Sequence, residues 1–163
     1  MNIRTEIIAY VEAEILPLYE HFDKGHSPEH ARTVLCNSFE IAAEIAAEFD
    51  YEMVYVVAAY HDVGMKFGRE NHEKTSAAEL LRDENLREWF TAVQLATMAE
   101  AVEDHRASND YEPRSIYGKI VSEADRDIDY LTILTRTAQL QLEKLPGAHA
   151  GAAFCPLHGA LSS

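Results

Sequence analysis

The sequence predicts an all-α fold, a single-domain bundle of about six helices. Three observations carry this. Apolar residues recur at three- and four-residue spacing through almost every segment, no segment sustains the alternation of a half-buried strand, and recognisable helix start and stop signals separate the segments. With 163 residues the chain is long enough for one well-filled core and too short for two ordinary ones. Hydrophobic residues at 47% and charged ones at 26% are the proportions of a folded domain, which excludes a collagen-like or low-complexity chain.

The first helix is expected from Ile3 to about Phe22, with Ile7, Ile8, Val11, Ile15, Leu16 and Tyr19 on its apolar stripe and Pro17 kinking or dividing it. The next start lies in Gly25-His26-Ser27-Pro28-Glu29, where Ser27 is the N-cap and Pro28 takes the first helical position. A helix from Pro28 to about Phe49 follows. Asp50 to Glu52 read as a short break before a strongly apolar helix from Met53 to His61, which Gly64 should close as a C-cap. Residues 66–71 read as a loop, His72 to about Arg82 as a short helix and Leu86 to about His105 as a longer one. A polar loop over 108–113 leads to a last helix from Ser115 to about Leu145. From Pro146 onward the composition turns to Gly and Ala without period, so the chain divides into a helical domain, 1–145, and a C-terminal tail, 146–163.

Fourteen Lys and Arg against 28 Asp and Glu leave a formal charge of −14, which repels nucleic-acid polymers and anionic membrane surfaces. No apolar run approaches the ~20 residues that span a bilayer, and the N-terminal residues lack the basic-then-apolar order of a signal peptide. A cytoplasmic location is therefore expected. The apolar first helix is compatible with a homodimer.

Function shows in where the helical period puts polar side chains. On the Pro28 helix, His30 continues the stripe of Val34, Ile41 and Ile45; on the next, His61 follows Val57; on the Leu86 helix, His105 follows Met98 and Ala101 or Val102. On the last helix, Val121 and Ile128 place Asp125 among apolar neighbours, and Asp62 adds a second inward acid beside His61. A lone histidine on an apolar face is ordinarily a hydrogen-bonded core residue. Four helices doing the same is another matter, because an unpaired buried carboxylate costs an amount comparable to the stability margin of a domain. No Lys or Arg lies on these stripes, so a divalent cation is the expected compensation.

The ordered set, a His in a helix, an adjacent His-Asp pair and a distant Asp, resembles the HD-domain superfamily of metal-dependent phosphohydrolases. The matching residues are His30 in His26-Ser27-Pro28-Glu29-His30, the pair in Tyr60-His61-Asp62-Val63-Gly64, and Asp125 in Glu123-Ala124-Asp125-Arg126; the likeness runs from about Phe22 to Tyr130. It implies a helical bundle holding one metal through His30, His61, Asp62 and Asp125. In members with a second metal two more histidines follow the pair, and His72 and His105 look like these, with Asp62 bridging. The implied cofactor is one or two divalent ions, among Mn, Fe, Mg, Co, Ni and Zn. Met65 stands where the deoxynucleoside monophosphate nucleotidases carry a catalytic Glu, and the extra Gly-Tyr-Pro and paired-His features of the cyclic di-nucleotide phosphodiesterases are absent.

The implied activity is hydrolysis of a small phosphorylated compound, a nucleotide or related phosphate ester, by metal-activated water. Asp62, Arg126 and Lys66 are the expected catalytic residues; Arg126 beside Asp125 is the first candidate for a phosphate clamp, and Lys66 follows the His-Asp pair. His26, before the N-cap, reads either as a partner of the site or as a solvent-exposed residue. A non-catalytic helical module that binds metal and ligand, and a di-iron oxygenase as in the myo-inositol oxygenase branch, are the alternatives.

Overall fold

The structure, a computed structural model, describes residues 2–106 and 109–126, with the backbone alone at Lys24. Among the described residues there are seven α-helices and no strand, as the periodicity predicts. They are α1 (Thr5–Tyr10), α2 (Pro28–Glu44), α3 (Tyr51–Tyr60), α4 (His72–Arg82), α5 (Leu86–Trp89), α6 (Ala92–Asp104) and α7 (Ile116–Arg126). None of these helices is long and apolar enough to cross a membrane. The expected run of the last helix to Leu145, the tail at 146–163 and part of the 108–113 loop lie outside the described residues.

The bundle is built around α3. Every residue from Met53 to Tyr60 is buried, because the sequence is apolar on all sides of the helix and each side meets another element. α2, α6 and α7 pack against it, and α4 packs on α6 and on a 3-10 turn, Val63–Phe67, that follows the His-Asp pair. The short segment Asp50 to Glu52 is a start signal rather than a break: Asp50 is the N-cap of α3, its carboxylate accepting from the Glu52 amide at 2.9 Å.

Three boundaries differ from expectation for identifiable reasons. The first helix is α-helical only over α1, then passes through a π turn, Val11–Ile15, into a 3-10 helix, Leu16–His21. The Pro17 ring excludes a normal bond to the carbonyl four residues earlier, that of Ala13, and the widened turn absorbs this. α2 ends at Glu44, five residues early, because Ile45 and Phe49 cover the small cluster of Ala42, Val54 and Ile120 from a non-helical connection. The expected Leu86–His105 helix is two helices, α5 and α6. Thr91 caps the second, its hydroxyl accepting from the Gln94 amide while the Gln94 side chain accepts from the Thr91 amide, a capping box.

Gly64 is not the helix stop expected of it. α3 has already ended at Tyr60, and the glycine with positive φ in this region is Gly68, at 111°. Gly64 is required by proximity: a Cβ there would lie 2.3 Å from the His72 carbonyl oxygen and 2.5 Å from the Ser76 nitrogen. The bare backbone lets α4 sit directly on the turn after Asp62, and the Gly64 amide donates to Ser76 Oγ at 2.8 Å.

Candidate metal centre

Each ligand-type side chain sits at or next to a helix end. Ser27 caps α2 by accepting from the His30 amide, which fixes His30 in the first turn. His61 and Asp62 leave the C-terminus of α3, His72 opens α4, His105 is the C-cap of α6, and Asp125 lies in the last described turn of α7. The structure brings all six together. Asp62 stands in the middle, with Oδ2 3.1 Å from His61 Nε2 and 3.6 Å from His30 Nε2, and Oδ1 3.2 Å from His72 Nε2 and 3.4 Å from His105 Nε2. Asp125 Oδ1 is 3.2 Å from His30 Nε2, which is itself 3.2 Å from His61 Nε2. Two groups capable of holding a cation result: His30, His61 and Asp125; and Asp62, His72 and His105.

Three of the imidazoles are wired alike. His61 Nδ1 meets the Ala58 carbonyl at 2.7 Å, His72 Nδ1 meets that of Arg69 at 2.9 Å, and His105 Nδ1 meets that of Val102 at 2.6 Å. A carbonyl only accepts, so each Nδ1 carries the proton and, in the neutral ring, each Nε2 turns a lone pair toward the centre. Those lone pairs face carboxylate oxygens, and Asp62 Oδ1, buried, has no hydrogen-bond partner. Such an array is repulsive unless positive charge lies inside it. The spacing suits a cation: ligand atoms ~2.1 Å from one ion are roughly 3.0–3.4 Å apart at octahedral to tetrahedral angles.

Protons compete for the same place. Burial pushes the His30 imidazole down, but hydrogen bonding to Asp125 and Asp62 outweighs it and raises the pKa to about 9. His61 is likewise raised, burial opposing and the Asp62 charge prevailing, and His72 is raised by the Asp62 carboxylate, whose Oδ1 lies 3.2 Å from its Nε2. Burial alone would raise Asp62 and Asp125; the imidazoles around them lower both.

Residues outside the helical stripes hold this arrangement. The Tyr19 hydroxyl accepts from the Asp62 amide at 3.2 Å and donates to the Ala59 carbonyl at 2.9 Å, fixing the turn between the two ligands. Buried Asp104, next to His105, takes the Arg114 amide at 2.7 Å and its Nε at 2.9 Å, tying the end of α6 to the segment before α7. Asn37 of α2 donates to the Ala124 carbonyl at 3.4 Å, beside Asp125. Of these, the sequence shows only Tyr19, and only as part of an apolar stripe; the Asp104 and Asn37 contacts join distant segments and leave no local signal.

The candidate cations are further out. Arg126 reaches Ser122 Oγ at 3.4 Å and Glu123 at 3.8 Å, and lines a cavity of about 540 Å³ with Lys119 and Tyr111. Lys66 is paired with Glu79 and lies over the Phe67 ring; it stands on the rim of a second cavity, about 570 Å³, with Asp23 and Arg69. Among the described residues neither cation touches the six ligand-type side chains. Arg106 is held by Glu73 at 3.3 Å.

An all-helical domain with inward histidines and aspartates at the ends of five segments is the class that fold and site together define. The sequence matches the HD domain over residues 29–128, more than half of the chain, and the chain belongs to the HD domain family. A solved structure described as a predicted HD superfamily hydrolase, from an uncultured Thermotogales bacterium, has the same fold: TM-score 0.59, 21% identity, 80% of this chain and 74% of that chain covered. No curated protein matches the sequence.

Proposed function

We propose that this chain is a metal-dependent phosphohydrolase acting on a small phosphorylated compound, a nucleotide or related phosphate ester. The observation that carries the reading is Asp62, whose two oxygens face two separate groups of imidazole nitrogens while one of them lacks any hydrogen bond. His30, His61, Asp62 and Asp125 would hold one divalent ion, and His72 and His105, with Asp62 shared, a second. Such ions supply Lewis acidity toward a phosphoryl oxygen and a lowered pKa for bound water.

The chain's own contribution is placement. The carbonyl-anchored imidazoles keep their Nε2 atoms inward without reorganisation, and the buried positions of His61 and His105 exclude bulk water from that side. Asp125 keeps 23% of its side chain exposed, so substrate would enter there, where Arg126 is the neighbouring guanidinium that can take a phosphate in two bonds. Lys66, already neutralised by Glu79, contributes at most long-range attraction. In a chain of charge −14 such local cations are needed to admit an anion at all. The description of the solved relative as a hydrolase supports the same class.

The test is phosphate release from an aryl phosphate and a nucleotide panel with Mn, Fe, Mg, Co, Ni or Zn added. Turnover that disappears in Asp62→Ala is expected. Oxygen consumption with iron and no phosphate release, or metal uptake with no turnover on any ester, would overturn the reading.

A further inference from the structure

His26 shares the wiring of the ligand imidazoles although it lies outside the set already described. It ends a 3-10 turn, Lys24–His26, whose N-cap is Asp23. Asp23 Oδ1 accepts from the Gly25 amide at 2.9 Å and meets His26 Nδ1 at 2.7 Å. A carboxylate accepts, so Nδ1 carries the proton and Nε2 is left facing inward, 3.8 Å from Asp62 Oδ2. The ring lies between the two groups, its centroid 6.1 Å from that of His30 and 6.2 Å from that of His72. Two ligands of one ion can be separated by up to ~4.2 Å when they stand opposite each other, so 3.8 Å is within reach of a common cation.

We propose that His26, aimed by Asp23, is a seventh ligand of the centre, closing the side of Asp62 Oδ2 from the mouth. This rests on the metal-binding reading above. The acceptor for Nδ1 is a carboxylate here and a carbonyl at His61, His72 and His105, and in each case it fixes the ring with Nε2 turned inward as the donor toward a cation. It is also carried by the shortest element, on a half-exposed turn, so its contribution is separable from the core. The other oxygen of Asp23 lies 3.5 Å from Arg69 Nη2, so the carboxylate is held from both sides.

The experiment is equilibrium titration of the metal-free full chain with Co(II), read by visible absorption and by stoichiometry, for wild type, His26→Ala, His26→Gln, Asp23→Asn and, as a control, His61→Ala. The proposal expects one Co(II) equivalent to weaken at least tenfold in both His26 variants, with altered visible bands and an unchanged far-UV spectrum. Added imidazole should restore the bands of His26→Ala, and Asp23→Asn should weaken the same equivalent about threefold or more. Wild-type affinity and bands in both His26 variants, while His61→Ala loses metal, overturn the seventh ligand and leave the centre standing. No uptake by wild type overturns both.

Discussion

The two sides of Asp62 are built differently. Facing Oδ1, His72 and His105 have side chains 9% and 2% exposed, both are anchored through Nδ1 to a backbone carbonyl, and His72 is seated by the close approach of α4 to Gly64. Facing Oδ2, His61 is equally sealed, but Asp125 is 23% exposed and His26 stands at the rim. The inner side is fixed by backbone and helix packing; the outer side is completed by side chains at helix ends that water can reach. Under the proposed function such a centre would hold an inner cation rigidly and offer its outer face to substrate.

The largest effect should come from removing the residue both sides share. Asp62→Ala is expected to abolish binding at both positions and to lower turnover by roughly three orders of magnitude or more, since charge and ligand go together; phosphate-release assays with metal analysis check this. Next is a change that breaks the inner side alone. Gly64→Ala places a methyl 2.3 Å from the His72 carbonyl, so α4 must move, at about 3 kcal/mol or more. Denaturant melts should show that loss, and metal titration should show the inner equivalent weakened more than the outer.

A pH series probes the outer side without mutation, through His30 and Asp125. In metal-free protein, His30 rises from 6.5 to about 9, so its contribution to stability is complete below 6.5 and disappears as pH climbs through 9. Asp125 is depressed below 3.8 and acts oppositely, its contribution being lost on acidification. Metal-free stability should therefore fall by on the order of 2 kcal/mol between pH 6.5 and 9, while metal affinity rises over the same window as imidazole protons leave. Thermal melts with and without metal measure both. The smallest effects belong to the outer cations. Arg126→Ala should raise KM about tenfold with kcat little changed, the mark of uniform substrate binding, and Lys66→Ala should change either by less than about twofold, because its partner is Glu79.

Much of this was legible in the sequence. The helical period alone turns His30, His61, His105 and Asp125 inward, and in the structure His30, His61 and Asp125 form one group while His105 joins Asp62 and His72 in the other. His72 followed from the family likeness only, because it opens its helix and has no stripe before it. The role of Gly64 was legible as a glycine but not as this one, since close approach between a turn and α4 is a tertiary fact. The Thr91 to Gln94 capping box was written in the chain and outweighs the apolar continuity from Leu86 that suggests one helix. Asp23 left no mark, as its bond to His26 depends on a three-residue turn without period.

The central claim, that inward imidazoles and carboxylates coexist here around shared cations, is tested most directly by counting metal on the purified full chain after equilibration with Mn(II) or Fe(II). The account predicts between one and two equivalents for wild type and none retained by Asp62→Ala. Less than one equivalent on folded wild-type protein, with no uptake when metal is offered, would contradict it.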